Sequence, residues 1–237
     1  MRLRILGTRG NIEKFAPKYL KHSGILIDDC LLLDVGEKEF LKYRPEWIFV
    51  THLHPDHAVL KAGDIPKNIP VYAPEISRIL PGAQRVSEPV VVGSYTVTPI
   101  PTVHSQHVKS VGYVVQKGKQ KIFYSSDLIR IESKYHRLLR GMNLIITDGS
   151  FMRSKGLIRL DARTREPFGH NGIPDLVKFF SPFTDCIVFT HFGTWFFRDI
   201  SKSRQKIESL SNSVRVIPAY DGMLLAVSTG KILEALP

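Results

Sequence analysis

Short apolar and β-branched runs recur along the chain, and many of them lead directly into an aspartate or a histidine. They are "LRILG" (3–7), "SGILID" (23–28), "CLLLDVG" (30–36), "WIFVTH" (47–52), "YTVTPIPTVH" (95–104) and "VGYVVQ" (111–116). Further on come "KIFYSSD" (121–127), "NLIITDGS" (143–150), "CIVFTH" (186–191), "VRVIPAYDG" (214–222) and "MLLAVS" (223–228). Each has the length and composition of a strand. Side chains just beyond strand ends lie on loops that a packed scaffold can gather at one rim. Asp34, His52, His104, Asp127, Asp148 and His191 all occupy such positions, so residues scattered in sequence become candidates for one site. Helical segments are expected at 37–43, 75–80, 132–140, 172–180 and 201–210. The early strands read as consecutive hairpins and the later ones alternate with helices. That order suits two mixed sheets packed face to face with helices outside.

With 237 residues the chain can bury a sizeable core. No repeat, low-complexity tract or Pro/Gly/Ser linker divides it, so one domain over residues 1–237 is expected. The formal net charge of +11 favours a polyanionic partner or else marks a solvated basic surface. Cys30 and Cys186, each flanked by apolar residues, read as two buried strand thiols without a Cys-x-x-Cys pair. No secretory leader is evident, and no apolar run approaches the ~20 residues that span a membrane. A cytoplasmic protein with no membrane partner is the expectation.

The densest polar feature is "THLHPDHAVL" (51–60), which places His52, His54, Asp56 and His57 within six positions of a chain that has 9 histidines. In extended backbone the step from His52 to His54 points both imidazoles the same way. Pro55 stops a ladder and can open a helix, which would turn Asp56 and His57 towards a second point nearby. Imidazole and carboxylate donors without thiolate suit Zn, Mn or Fe in a hydrolytic site.

His-x-His-x-Asp-His after a strand resembles the signature of the metallo-β-lactamase superfamily, and the resemblance continues along the chain. "LLLDVG" resembles its Asp-x-Gly element, with Asp34 orienting the ligand loop. "TVHS", "YSSD" and "VFTHFG" supply His104, Asp127 and His191 in the family's order. The resemblance implies a four-layer αββα sandwich and two divalent metal ions, Zn2+ first, with Mn2+ or Fe2+ as alternatives. One ion would be held by His52, His54 and His104, the other by Asp56, His57 and His191, with Asp127 bridging and Asp56 also counted as catalytic. His107 competes with His104, which is preferred because it ends the long strand directly. His22 and His136 lack such a setting and read as surface histidines. Flavodiiron oxidoreductases carry Glu at the position of His54, so hydrolysis is implied rather than redox chemistry.

Three further stretches resemble the ribonuclease Z-like phosphodiesterases. "LIITDGSF" (144–151) provides Asp148, "GHNGIPDLVKFF" (169–180) provides His170 before a helix, and "IPAYDGMLLAV" (217–227) resembles the closing strand pair. The resemblance implies that His170 contacts the scissile phosphate or protonates the leaving oxygen, a role worth ~10²–10⁴ in rate, and that Asp148 holds it protonated. Asn171 and Gly172 stand where that branch has Ser or Thr. Arg153, Lys155, Arg159, Arg163 and Arg165 precede His170 and read either as a basic flap beside the site or as a solvated hairpin. Trp195, Phe196 and Phe197 either stack bases or pack in the core. The interval 58–103, expected to hold one short strand, one helix and a strand pair, leaves little chain for a tRNA-gripping arm.

The function implied is a two-metal phosphodiesterase or nuclease acting on RNA, single-stranded DNA or a nucleotide-derived diester. Carboxyl-ester, lactone or thioester hydrolysis on the same site is the enzymatic rival. A non-catalytic nucleic-acid-binding protein is the rival of another class. A homodimer is allowed, and nothing in the sequence requires one.

Overall fold

The computed structural model describes residues 1–61, 63–65, 68–228 and 231–235. In chain order the strands begin with β1 (Arg2–Gly7), β2 (Gly24–Ile27), β3 (Leu31–Leu33), β4 (Trp47–Phe49), β5 (Val71–Ala73) and β6 (Gln84–Arg85). There follow β7 (Val90–Val92), β8 (Tyr95–Val103), β9 (Val111–Lys117), β10 (Gln120–Ser125), β11 (Arg130–Ile131) and β12 (Leu144–Asp148). A hairpin of β13 (Leu157–Leu160) and β14 (Pro167–His170) leads into α1 (Ile173–Phe180). The chain continues through β15 (Cys186–Thr190), α2 (Ile200–Glu208), β16 (Arg215–Pro218), β17 (Leu224–Ser228) and β18 (Lys231–Ala235). One sheet has the order β18-β17-β1-β2-β3-β4-β5-β6. The second runs β11-β8-β9-β10-β12-β15-β16, with β7 beside β8, and β13–β14 stands apart as a third, two-stranded sheet.

Three apolar layers hold the sheets together, and the two-residue period of each strand assigns its side chains to them. Ile25, Leu33, Phe49, Tyr113, Ile122, Tyr124, Leu144 and Val188 fill the space between the sheets. Their alternating neighbours Leu26, Leu32 and Ile48 face outwards on the first sheet and pack on Phe40. On the second sheet Phe123, Ile145, Ile187 and Phe189 face outwards against the helices. Strands buried on both faces read as continuous apolar runs, which is why "CLLLD", "NLIIT" and "CIVFT" lack alternation.

Helix α1 forms because Ile173, Leu176, Val177 and Phe180 recur at helical spacing and are all buried, while Pro174 fits the first turn. Asp199 caps α2 by accepting the Lys202 amide at 3.0 Å. The result is the expected αββα sandwich, with unequal outer layers. Among the described residues the helical cover of the first sheet is the 3₁₀ segment Lys38–Tyr43, joined by loop residues such as Leu60 and Leu80, and the segment expected at 132–140 is also 3₁₀, Ser133–Leu139.

Four sequence expectations are corrected. Residues 75–80 form no helix. Pro74 and Pro81 bracket them, Pro81 disfavours helical backbone at Leu80, and Ile76 and Ile79 are exposed with nothing to bury against. Cys30 is half-buried in the turn between β2 and β3, whereas Cys186 is buried within β15. His22 is half-buried and bonded through Nδ1 to Glu37 at 2.8 Å. His136 packs on Phe179 and Phe183 and donates from Nε2 to the Ile131 carbonyl at 2.9 Å. In the interval 58–103, residues 62, 66 and 67 lie outside the described residues; the described remainder makes β5 to β8 and no helix.

The topology gathers strand ends. β3, β4 and β5 are mutually parallel, as are β10, β12, β15 and β16. Within each parallel set every strand therefore delivers its C-terminal loop to the same edge of its sheet. A half-buried carboxylate late in the chain ties the N-terminal loop to this edge: Asp221 accepts the Thr8 hydroxyl at 2.7 Å and the Leu20 and Lys21 amides at 2.7 and 2.9 Å. Asp221→Ala is expected to lose about 1–3 kcal/mol of stability and to raise amide exchange selectively in residues 8–22. Unchanged protection of that loop in hydrogen-exchange mass spectrometry would contradict the clamp.

Candidate metal centre

The loop after β4 is held from below by the loop after β3. Val35 N donates to His57 O at 2.7 Å and Val59 N to Val35 O at 3.0 Å. Gly36 is needed for this approach, because a Cβ there would lie 2.5 Å from Asp56 O. After Pro55 the backbone makes one turn, with His57 N and Ala58 N both donating to His54 O, and not the expected helix start. That turn is enough to swing Asp56 and His57 away from His52 and His54.

Two groups of donors result, and a third, Asp127, His170 and His191, overlaps them. His52, His54, His104 and Asp127 can each bring one ligand atom within 4.8 Å of the others, and Asp56, His57 and His191 form a second such group. Asp127 lies between them. Its Oδ2 is 3.6 Å from His52 Nε2 and 3.3 Å from His104 Nε2; its Oδ1 is 3.3 Å from both His57 Nε2 and His191 Nε2. The structure thus brings all seven residues of the sequence reading together. His107 is exposed and belongs to neither group.

The outward-facing ring nitrogens are tied to the protein, which fixes tautomer and orientation. His57 Nδ1 donates to Asp34 Oδ2 at 2.9 Å. His52 Nδ1 meets Thr51 Oγ1 at 3.0 Å, and that hydroxyl donates to Asp34 Oδ2 at 2.9 Å. His104 Nδ1 donates to the Gly169 carbonyl at 3.0 Å, and His191 Nδ1 meets Ser150 Oγ at 2.9 Å. Four Nε2 atoms are left facing the centre. His54 presents the other nitrogen: its Nδ1 is 3.0 Å from His52 Nε2 and 3.3 Å from His104 Nε2. Asp34 is fully buried and also accepts the Thr51 amide and the Tyr124 hydroxyl at 2.7 and 2.8 Å. Asp34 and His191 both adopt positive φ, 59° and 57°, strained backbone for non-glycine residues that marks the site.

These residues fit metal ions. His57 Nε2 and Asp127 Oδ1 are buried without a hydrogen-bond partner, although such atoms nearly always find one. Both aim at the interior of the donor groups, and nitrogen and oxygen donors with no thiolate are the set that Zn2+ and similar divalent ions take.

Electrostatics without metal divide the histidines. Burial pushes His104 down to about 4, and burial with neighbouring imidazoles holds His52 well below the ordinary value. For His191 burial acts downwards too, but Asp127, Asp148 and Asp56 outweigh it and lift the ring to about 10. His57 is raised in the same way by Asp127, Asp56 and Asp34. Asp127 and Asp56 stay ionised, their burial outweighed by the surrounding histidines.

Beyond the two groups, Asp148 ends β12 and accepts the Ser150 amide at 2.8 Å through Oδ1. Its Oδ2 accepts from His170 Nδ1 at 2.7 Å. The His170 ring stacks on His191 with centroids 5.6 Å apart and lies 4.9 Å from that of His104. These groups line a cavity of about 970 Å³, whose other walls include Gly10, Asn11, Ile12, Phe151, Trp195, Arg153, Arg198 and Lys206. Phe196 is core, stacked on Phe192 at 3.9 Å; Trp195 faces the cavity and donates from its ring nitrogen to Gly149 O. Sequence reasoning missed Thr51, Ser126, Ser150 and the Gly169 carbonyl, which act on partners distant in sequence or carry no distinctive spacing. It also missed the Arg198 and Lys206 wall.

Metal loading should release protons. His57 and His191 have raised values and carry protons at neutral pH, whereas His52, His54 and His104 are lowered and already neutral. Ligation needs the coordinating nitrogen of each ring free of its proton, so affinity should rise with pH towards about 10, where His191 loses its proton unaided. Calorimetric titration at pH 7 in buffers of different ionisation heat should show about two protons released per chain. Release near zero would contradict this charge distribution.

No curated protein sequence matches the chain. Among solved structures, the metallo-beta-lactamase fold protein YhfI from Bacillus subtilis is similar over 94% of this chain and 98% of its own, with 17% identity and a TM-score of 0.66. A diphosphatase from the PhnP family is similar over 96% and 98%, at 16% identity and a TM-score of 0.64. The short form of human tRNase Z is similar over 96% and 100%, at 17% identity and a TM-score of 0.62. At such identities the likeness establishes the fold alone. The model of the beta-lactamase superfamily domain matches residues 41–182, more than half of the chain. With its His and Asp groups suited to metal ions, the chain belongs to that superfamily and has the metallo-beta-lactamase fold.

Proposed function

We propose that the protein is a two-metal phosphodiesterase acting on nucleic acid or a nucleotide-derived diester. The observation that carries this reading is the His170–Asp148 pair at the edge of the donor groups, in a cavity whose cations lack acidic partners. Arg153, Arg198 and Lys206 line that cavity, and among the described residues none has a carboxylate within ion-pair distance. Unpaired cations around a site suit an anionic substrate more than a neutral ester or lactone. The position of His170, paired with Asp148 and stacked on His191, suits proton transfer more than bulk attraction of anions.

In this reading His52, His54 and His104 hold one ion, Asp56, His57 and His191 hold the other, and Asp127 bridges them. Zn2+ fits the donor set best, with Mn2+ or Fe2+ as alternatives. When bound, such ions lower the pKa of water and neutralise charge on a phosphoryl group. The protein's own contribution is the following. His170 donates from Nδ1 to Asp148, which leaves Nε2 for the cavity. Burial alone would drive off its proton, but the Asp148 carboxylate outweighs burial and raises the ring above its ordinary value. The Asp148 carboxylate therefore favours the protonated ring, from which a proton can pass to the departing oxygen. Asp148 keeps its charge because His170 and the nearby His191 ring, with Nδ1 at 3.7 Å, outweigh its burial. Arg153, whose guanidinium lies 5.8 Å from the Phe151 ring, stands where it can hold a phosphate oxygen. Trp195 offers an apolar face for a base or sugar.

His170→Ala should lower kcat ~10²-fold or more for a diester with a poor leaving group, with metal content unchanged. The loss should be much smaller for bis(4-nitrophenyl) phosphate, whose leaving group needs little protonation. An equal loss on both substrates would assign His170 to phosphate positioning instead. Faster turnover of a lactone or thioester panel than of any diester would reject the phosphodiesterase reading itself.

A further inference from the structure

The hairpin β13–β14 is tied at its base to the donor groups. Gly169 N donates to His104 O at 2.7 Å, and Gly169 O accepts from His104 Nδ1 at 3.0 Å. Its register pairs Leu157 with His170 and Arg159 with Phe168. Directly opposed residues of an antiparallel pair share a face, as do residues two apart on one strand. Arg159 and Phe168 therefore stand on the face that carries His170 and Leu157, one pleat repeat farther out, at ~7 Å. Ile158 and Leu160 occupy the other face and are 40% and 50% exposed.

Among the described residues Arg159 has no ion pair or side-chain hydrogen bond and Phe168 has no aromatic contact. Neither lines the cavity, whose rim on this side is Leu157. Two acidic residues stand at the tip. Asp161 is taken up by the turn, where it accepts the Arg163 and Thr164 amides at 2.8 and 2.6 Å. Glu166 is outnumbered by Arg159, Arg163 and Arg165.

We propose that the inner face of this hairpin is a track for a single polynucleotide strand, on which Arg159 holds a backbone phosphate and Phe168 stacks a base beyond the cavity. This rests on the phosphodiesterase reading and adds an extended, single-stranded substrate to it. A cation and an aromatic ring side by side, one repeat from the proton donor, are the two elements that sequence-tolerant single-strand binding combines. A small diester would occupy the cavity and never reach them. The stiff connection through Gly169 would also keep the track in register with the donor groups.

Fluorescence anisotropy of a labelled single-stranded oligonucleotide on His54→Ala protein carrying the ion of the Asp56, His57 and His191 group, over a salt series, tests this without turnover. Arg159→Ala and Phe168→Ala should each weaken binding roughly tenfold. Arg159→Ala should also lower the slope of log affinity against log salt by about 1, whereas Phe168→Ala should leave the slope in place. Ile158→Ser and Leu160→Ser, on the opposite face, should change neither quantity. Equal loss from both faces, loss from the Ile158 face only, no loss from any variant, or no binding by the parent protein would each overturn the track. Failure of the phosphodiesterase reading shows separately, as wild-type protein that binds the strand but cleaves no diester.

Discussion

Each oxygen of the Asp127 carboxylate faces a different set of histidine nitrogens, in a place that water scarcely reaches. Burying a charge is tolerable only where opposite charge or strong hydrogen bonds meet it. Here four aspartates and six histidines share a small volume, and two buried polar atoms, His57 Nε2 and Asp127 Oδ1, have no hydrogen bond at all. Protons on His57 and His191 balance the carboxylates in part, and divalent ions would balance them with better geometry. The strands, turns and supporting hydrogen bonds around this centre are arranged as that demand requires.

The fold meets the demand through parallel strand ends. β3, β4, β10, β12 and β15 each end beside the centre and deliver Asp34, His52, Asp127, Asp148 and His191 from sheets fixed by apolar layers on both faces. Rigid strands place the first atom of each loop, and short hydrogen-bonded links set the rest. Asp34 shows the economy of this design: one carboxylate orients His57 directly, steadies His52 through Thr51, and accepts Tyr124 from the opposite sheet. The His170–Asp148 pair and the β13–β14 hairpin are attached to the same frame through Ser150 and Gly169. The donor groups, the His170–Asp148 pair and the hairpin are thereby mechanically connected.

Much of this could be read from the sequence, for a physical reason. A metal site demands particular side chains at positions set by strand ends, so "THLHPDH", "TVHS", "YSSD" and "FTH" carry their meaning locally. The buried strands were legible as well, since apolar runs of strand length have few alternatives. Other features depend on partners distant in sequence. Residues 75–80 have a helical composition but lie between two prolines with no surface to cover. Pro55 starts a single turn because Val35 and Val59 pin the loop directly after it. His22 and His136 look like surface residues until Glu37 and the Phe179–Phe183 pair are placed beside them. Ser150 and Thr51 are common residues whose role is visible only once an imidazole lies within hydrogen-bond distance. The cavity wall of Arg198 and Lys206 comes from a 3₁₀ segment and a helix far from every motif.

The central claim is that these seven side chains form a dinuclear metal centre. Elemental analysis of protein purified with excess divalent metal and then dialysed, combined with the same analysis of His54→Ala and His57→Ala, tests it most directly. The structure predicts two equivalents per chain in the wild type, with His54→Ala weakening retention of one ion and His57→Ala of the other, while both variants stay folded. Less than one equivalent in metal-replete wild-type protein would contradict it.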